Sequence, residues 1–213
     1  MTRRGLCLDL DGTIIDSCHY GLRKLEAIVR ARDLPYDPEI EKKIISLWVG
    51  PPEKIISEVW PGSDTKDIVK AWGKDDKPIS LVPGGFEALI NLFCFFYLSI
   101  LTSRGRESTN FHIESYRHLF RFVVTHNDTE FHKPDPRSMH PVFTNYEMLD
   151  VQQENIIFVG DNIDADWKLA QSLEMEFYAV TSGVHSKDEF IAAGVNPDCV
   201  LNTIADLPKI LIK

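Results

Sequence analysis

The chain has 213 residues, of which 44% are hydrophobic and 26% charged; this suits a folded globule of one core domain with a small insertion, or of one large domain. Its formal net charge is −9 and no Lys/Arg stripe is clustered along it, which argues against non-specific binding to nucleic acid or to an anionic membrane. A small anionic substrate stays open, because a bound cation inverts the local field.

Gly5 to Asp11 begins as an apolar run and ends in Gly12-Thr13, the pattern of a buried strand that stops at a turn. Leu22, Leu25, Ile28 and Val29 recur at helical spacing, predicting a helix over about 17–32 that Asp33-Leu-Pro-Tyr-Asp-Pro38 breaks. Helices are predicted over about 38–48, 52–59 and 64–73, with Gly50-Pro51-Pro52 between the first two and Pro61-Gly62 closing the second. Trp48, Trp60 and Trp72 are spaced as helix packing residues.

After Pro83-Gly84-Gly85 the pattern changes to alternation. Helices are predicted at 85–93, 106–118, 136–147, 164–173, 186–193 and 204–211. Strands are predicted at 96–101, 121–125, 156–160, 176–180 and 199–201. The run Leu92 to Leu98 has no polar turn where helix must pass into strand. Strands alternating with helices predict an α/β fold: a Rossmann-like parallel sheet covered by helices on both faces.

Cys7, Cys18, Cys94 and Cys199 form no CxxC pair and no zinc-like spacing with His, so they are expected to be reduced thiols. No secretory signal precedes the first predicted strand, and Phe86 to Leu101 is shorter than a membrane span of roughly 20 residues. The expected location is the cytoplasm.

Polar residues collect where the apolar strands end: Asp9 and Asp11, then Thr102-Ser103-Arg104, then a loop with His132-Lys133-Pro134, then Gly160-Asp161 with Asp164 and Asp166. In a parallel sheet these clusters share one edge, where such sheets bind ligands. Asp9 and Asp11 are two apart, so both point to one side while the strand persists. With Asp161 they bring three carboxylates toward one point, a concentration of like charge that needs compensation. A hard divalent cation such as Mg²⁺ supplies it, and Lys133 and the Thr102 hydroxyl are the partners that a phosphate needs.

Asp9-Leu-Asp-Gly-Thr13, Ile100-Leu-Thr-Ser103, Lys133-Pro-Asp-Pro136 and Val159-Gly-Asp161…Asp166, in that order, resemble the haloacid dehalogenase-like hydrolases, and within them the phosphoglycolate-phosphatase-like group. Val82-Pro-Gly84 and Thr181-Ser-Gly-Val184 extend the likeness across nearly the whole chain. The resemblance implies a core domain of 1–16 and 84–213, with a helical cap of 17–83 inserted after the first strand and substrate identity residing in the cap; because an aspartyl phosphate benefits from controlled water access, the cap is expected to close, with hinge motion near Asp16-Ser17 and Val82-Pro83. It implies a phosphatase acting through an aspartyl phosphate on Asp9, with Asp11 as acid and base. Thr102, Ser103 and Lys133 would hold the phosphoryl group. Mg²⁺ would be held by Asp9, Asp161, Asp166 and the Asp11 carbonyl.

The acidic motif is one residue longer than in many relatives. Asp166 is preferred for the supporting acid, because Asp166-Trp-Lys-Leu-Ala170 fits the following helix, and Asp164 is its rival. Arg104, Arg106, His132, His19 and Gly50-Pro51-Pro52 are further candidates for substrate contact. The competing functions are a phosphomutase using the same phosphoenzyme and a binding protein without catalysis. A dehalogenase would have no use for Asp11 and Asp161, and no cap lysine stands out for phosphonate cleavage. The expected partner is a small phosphorylated substrate, with oligomeric state left open.

Overall fold

The structure is a computed structural model that describes residues 3–48, 51–75 and 77–212. In chain order the elements are β1 (Gly5–Leu8), α1 (Ser17–Arg30), α2 (Pro38–Ser46), α3 (Pro52–Val59), α4 (Thr65–Trp72), α5 (Gly85–Phe95), β2 (Tyr97–Leu101), α6 (Arg106–Ile113), β3 (Phe120–Val124), α7 (His140–Glu147), β4 (Ile156–Gly160), α8 (Lys168–Ser172), β5 (Glu176–Val180), α9 (Lys187–Ala192), β6 (Val200–Leu201) and α10 (Leu207–Leu211). The chain divides into two compact units, one of Met1–Asp16 with Pro78–Lys213 and one of Ser17–Lys77.

The first unit is the expected α/β layer structure. Its six strands lie in the order β3-β2-β1-β4-β5-β6 and every neighbouring pair is parallel. The strand order reverses direction at β1, which pairs with β2 on one side and β4 on the other, so the crevice of the fold opens at the carboxyl ends of β1 and β4. Leu6, Leu8, Ile157, Phe158 and Val159 are fully buried, as strands covered on both faces must be. Ile15 bridges Leu81 in antiparallel fashion, and Asp16 N–H donates to the Ser80 carbonyl at 2.9 Å, so the outgoing and returning chain are tied within this unit.

Four predicted helices prove composite, 164–173 being a π turn (Ile163–Trp167) leading into α8. The 106–118 segment is α6 followed by a 3₁₀ stretch (Glu114–Leu119), 136–147 is a 3₁₀ turn (Pro136–Met139) leading into α7, and 204–211 is a 3₁₀ turn (Ile204–Asp206) leading into α10. The helix-to-strand passage without a polar turn is made by one residue. Phe96 is extended and buried, its N–H closes α5 on the Leu92 carbonyl at 2.8 Å, and Tyr97 starts β2.

The second unit contains only helices among its described residues. Asp37 caps α2 through Glu39 and Ile40 N–H groups, both at 2.9 Å, with Pro38 in the first turn. Leu22, Leu25, Val29, Ile44, Ile55, Ile56 and Ile68 are buried. The tryptophans pack as expected: Trp48 meets Trp72 edge to face at 5.5 Å, and the indole N–H groups of Trp60 and Trp72 donate to the Pro35 and Gly21 carbonyls. Cys7, Cys18, Cys94 and Cys199 are free thiols, and no described helix is long and apolar enough to cross a membrane.

Candidate active site

β1 ends at Leu8, but Asp9 N–H still donates to the Val159 carbonyl at 2.9 Å, so Asp9 is locked beside β4. Asp161 follows the last residue of β4. The expectation of a strand running on to Asp11 is corrected: the chain turns through Gly12, whose φ is +71°, and alternation does not govern Asp11. Its carboxylate instead faces Arg104, which reaches it with Nε at 3.0 Å and Nη2 at 2.5 Å.

Asp9, Asp161 and Asp166 are all buried, and a carboxylate oxygen of each lies within 4.8 Å of the others. Lys133 enters this cluster from the loop before Pro134. Its ammonium lies 2.7 Å from Asp9 and 2.6 Å from Asp166, and its side chain is only 4% exposed. Burial by itself would lower the Lys133 pKa, but the charges of Asp166 and Asp9 override that and hold it above its ordinary value. One ammonium does not neutralise three carboxylates. Burial above all, then the charges of Asp166 and Asp11, outweigh Lys133 and push Asp9 up to about 7. Burial and the neighbouring Asp9 and Asp166 push Asp161 well above its ordinary range.

Backbone geometry sends the two later acids to different places. Residues Ile163–Trp167 form a π-helical turn, the usual way a helix takes up one extra residue. The turn brings Asp166 inward, where one oxygen meets Lys133 and the other accepts the Asn162 N–H at 3.0 Å. Asp164 lies outside the cluster, half exposed and paired with Lys168 at 2.5 Å.

Thr102 is buried after β2. It does not cap α6, whose N-cap is Gly105; its Oγ1 accepts the Arg104 N–H at 3.1 Å. Ser103 is exposed. Arg106 pairs with Asp128, and His132 stacks on His126 at 3.9 Å between ring centroids. His19 is exposed on the first turn of α1 in the other unit, and Gly50 lies outside the described residues.

Two features went unread in the sequence. Thr13 Oγ1 donates to Asp161 Oδ1 at 3.3 Å from a fully buried position. Gly12 and Gly183 both back onto the Asp161 carboxylate so closely that a Cβ on either would overlap it, and Ser182 Oγ donates to the Gly12 carbonyl at 2.7 Å, joining the two loops. The glycines inside the Asp-Gly-Thr and Thr-Ser-Gly motifs were the available signal.

A parallel Rossmann-like sheet with buried carboxylates and an ammonium at its switch point is an α/β fold with a candidate active site in its ligand crevice. The family model for the haloacid dehalogenase-like hydrolases matches residues 6–180, and the chain belongs to that family. No curated protein matches the sequence. Among solved structures, a protein from Thermotoga maritima provisionally described as a β-phosphoglucomutase superposes with a TM-score of 0.76 at 16% identity, covering 98% of each chain. A provisionally assigned HAD-hydrolase from Bacillus subtilis, bound to magnesium and reported to show interdomain movement, superposes with a TM-score of 0.75 at 17% identity over 100% of both chains. A haloacid dehalogenase-like family hydrolase from Streptococcus pneumoniae gives 0.73 at 16% identity over 98% of each. At these identities the likeness is one of fold.

Proposed function

We propose that the protein is a Mg²⁺-dependent phosphomonoester hydrolase that works through an aspartyl phosphate on Asp9. The observation that carries this reading is the Lys133 ammonium held between Asp9 and Asp166 at 2.7 and 2.6 Å, in a buried cluster that still has more carboxylates than cations. Hard oxygen donors with an unmet charge fit a small divalent cation, which typically takes one or two carboxylates and keeps sites for water and a phosphate oxygen. Asp9, Asp161 and the Asp11 carbonyl would be the direct donors. Asp166, whose oxygens already meet Lys133 and Asn162, would support them by orienting that lysine. The cation supplies charge to offset the carboxylates and the transferring phosphoryl group.

The chain's own groups divide the work. An Asp9 oxygen forms the bond to phosphorus as the bond to the alcohol oxygen breaks. Asp11 hands its proton to the departing oxygen, then takes one from the water that attacks the aspartyl phosphate, restoring Asp9 and freeing phosphate. Lys133 and Thr102 steady the phosphoryl oxygens. Release of phosphate from p-nitrophenyl phosphate with Mg²⁺, and its loss with EDTA, test the activity. Asp9→Asn tests the mechanism, with an expected drop of at least about a thousandfold. Full metal-dependent turnover in that variant defeats the proposal. Free phosphate as product, rather than an isomerised sugar phosphate, separates hydrolysis from mutase chemistry.

A further inference from the structure

Arg104 follows Thr102 by two residues, and its guanidinium closes on Asp11 from 93 positions away. Nε donates to Oδ2 at 3.0 Å and Nη2 to Oδ1 at 2.5 Å, a two-pronged pairing of planar groups. Nη1 donates to Ser108 Oγ at 2.8 Å, in the first turn of α6, which fixes the plane of the fork. The two side chains are 20% and 36% exposed, so a solute can reach the pair. Bidentate arginine–carboxylate pairs of this kind are strong and directional. Each Asp11 oxygen therefore faces a guanidinium N–H. Clamped in this way, the carboxylate is held in the orientation the fork sets, with one lone pair of each oxygen committed to the guanidinium. Proton transfer to the departing oxygen and from water falls to Asp11 in the reading above, and a group that takes the guanidinium in its place frees Asp11 to turn to those tasks.

We propose that Arg104 is the positioning residue for Asp11, and that its guanidinium receives a second anionic group of the substrate, a carboxylate or further phosphate beside the scissile monoester, as Asp11 leaves it. The exchange replaces one planar or tetrahedral oxyanion by another on the same fork, so a doubly anionic substrate offsets the cost of parting Arg104 from Asp11. An alkyl phosphate without the second charge must part them uncompensated. Arg104 thus couples recognition of that charge to release of the proton carrier, which gives selectivity by differential cost. The neighbouring Arg106 is engaged with Asp128 instead.

This inference rests on the proposed role of Asp11, and the experiment separates the two. kcat/KM is measured for propyl phosphate, 3-phosphooxypropionate, 1,3-propanediol bisphosphate and p-nitrophenyl phosphate. The enzymes compared, each with Mg²⁺, are the parent, Arg104→Gln and Arg104→Lys. The parent should favour the doubly anionic substrates over propyl phosphate by at least about tenfold, and Arg104→Gln should bring that ratio near one. Arg104→Lys, which keeps the charge but loses the fork, should fall between. The p-nitrophenyl ester should change little, because its leaving group departs without a proton and kcat/KM reports only the steps through that departure. The two doubly anionic esters show whether carboxylate or phosphate is the better occupant. No preference in the parent, an unchanged ratio in Arg104→Gln, or equal losses on every substrate overturns the inference. If Asp9→Asn keeps full turnover, the underlying reading fails; if it is inactive and the ratios still do not move, only the role of Arg104 fails.

Discussion

Lys133→Met removes the ammonium from the acid cluster with little change in side-chain volume, so its effect isolates charge from packing. The lysine side chain is 4% exposed and bridges Asp9 and Asp166 at 2.7 and 2.6 Å. Removing one partner of a buried ionic network costs about 3–5 kcal/mol, because the remaining charges stay out of water without compensation. At about 2–4 °C per kcal/mol for a chain of this size, the midpoint of unfolding should fall by roughly 6–20 °C. The cost depends on pH in a definite direction. Asp9 already sits near 7 and Asp161 is raised further from its ordinary range, so at pH 5 protons replace the missing ammonium and the penalty shrinks. Urea and thermal unfolding of the metal-free parent and variant at pH 8 and pH 5 measure it. A loss below about 1 kcal/mol at pH 8, or an equal loss at both pH values, would refute the reasoning that Lys133 offsets carboxylate charge.

The metal-free parent should lose stability as pH rises from about 4 to 7, because across that window folded Asp9 keeps a proton that the unfolded chain, with its ordinary value of 3.8, has released. Mg²⁺ should consequently raise the unfolding midpoint more at pH 8 than at pH 5, where it competes with protons; calorimetric scans with and without Mg²⁺ check this, and an equal rise at both would contradict it. Gly183→Ala puts a Cβ into the Asp161 carboxylate and should weaken Mg²⁺ binding roughly 10–100-fold, read by titration calorimetry of the folded variant against an unchanged Kd as the contrary result. Tyr146→Phe removes a buried hydroxyl that bonds Ser99 and the Tyr97 carbonyl, both at 2.8 Å, and should cost about 1–2 kcal/mol in urea unfolding without altering KM; no loss would mean that the hydroxyl network contributes nothing.

The order and type of the elements were legible in the chain alone. β4 and β5 fall at the positions their apolar runs predict, because an interior strand needs an unbroken apolar sequence and that requirement is local. The composite helices were not separable, since 3₁₀ and α turns share nearly the same side-chain spacing. The positions of Asp9, Thr102, Lys133 and Asp161 at strand ends or in the following loop could also be read, given a parallel sheet.

What only the tertiary structure decided is the direction in which each side chain points once its strand has ended. The π turn of Ile163–Trp167 sends Asp166 to Lys133 and leaves Asp164 with Lys168. The turn at Gly12 sends Asp11 to Arg104, and Gly12 and Gly183 both pack against one carboxylate, that of Asp161. Periodicity describes neighbours along a chain. The Asp166–Lys133, Asp11–Arg104 and Gly12–Gly183 contacts join loops that are far apart in sequence and are brought together by strand pairing, so their geometry is set by the sheet and not by any local pattern.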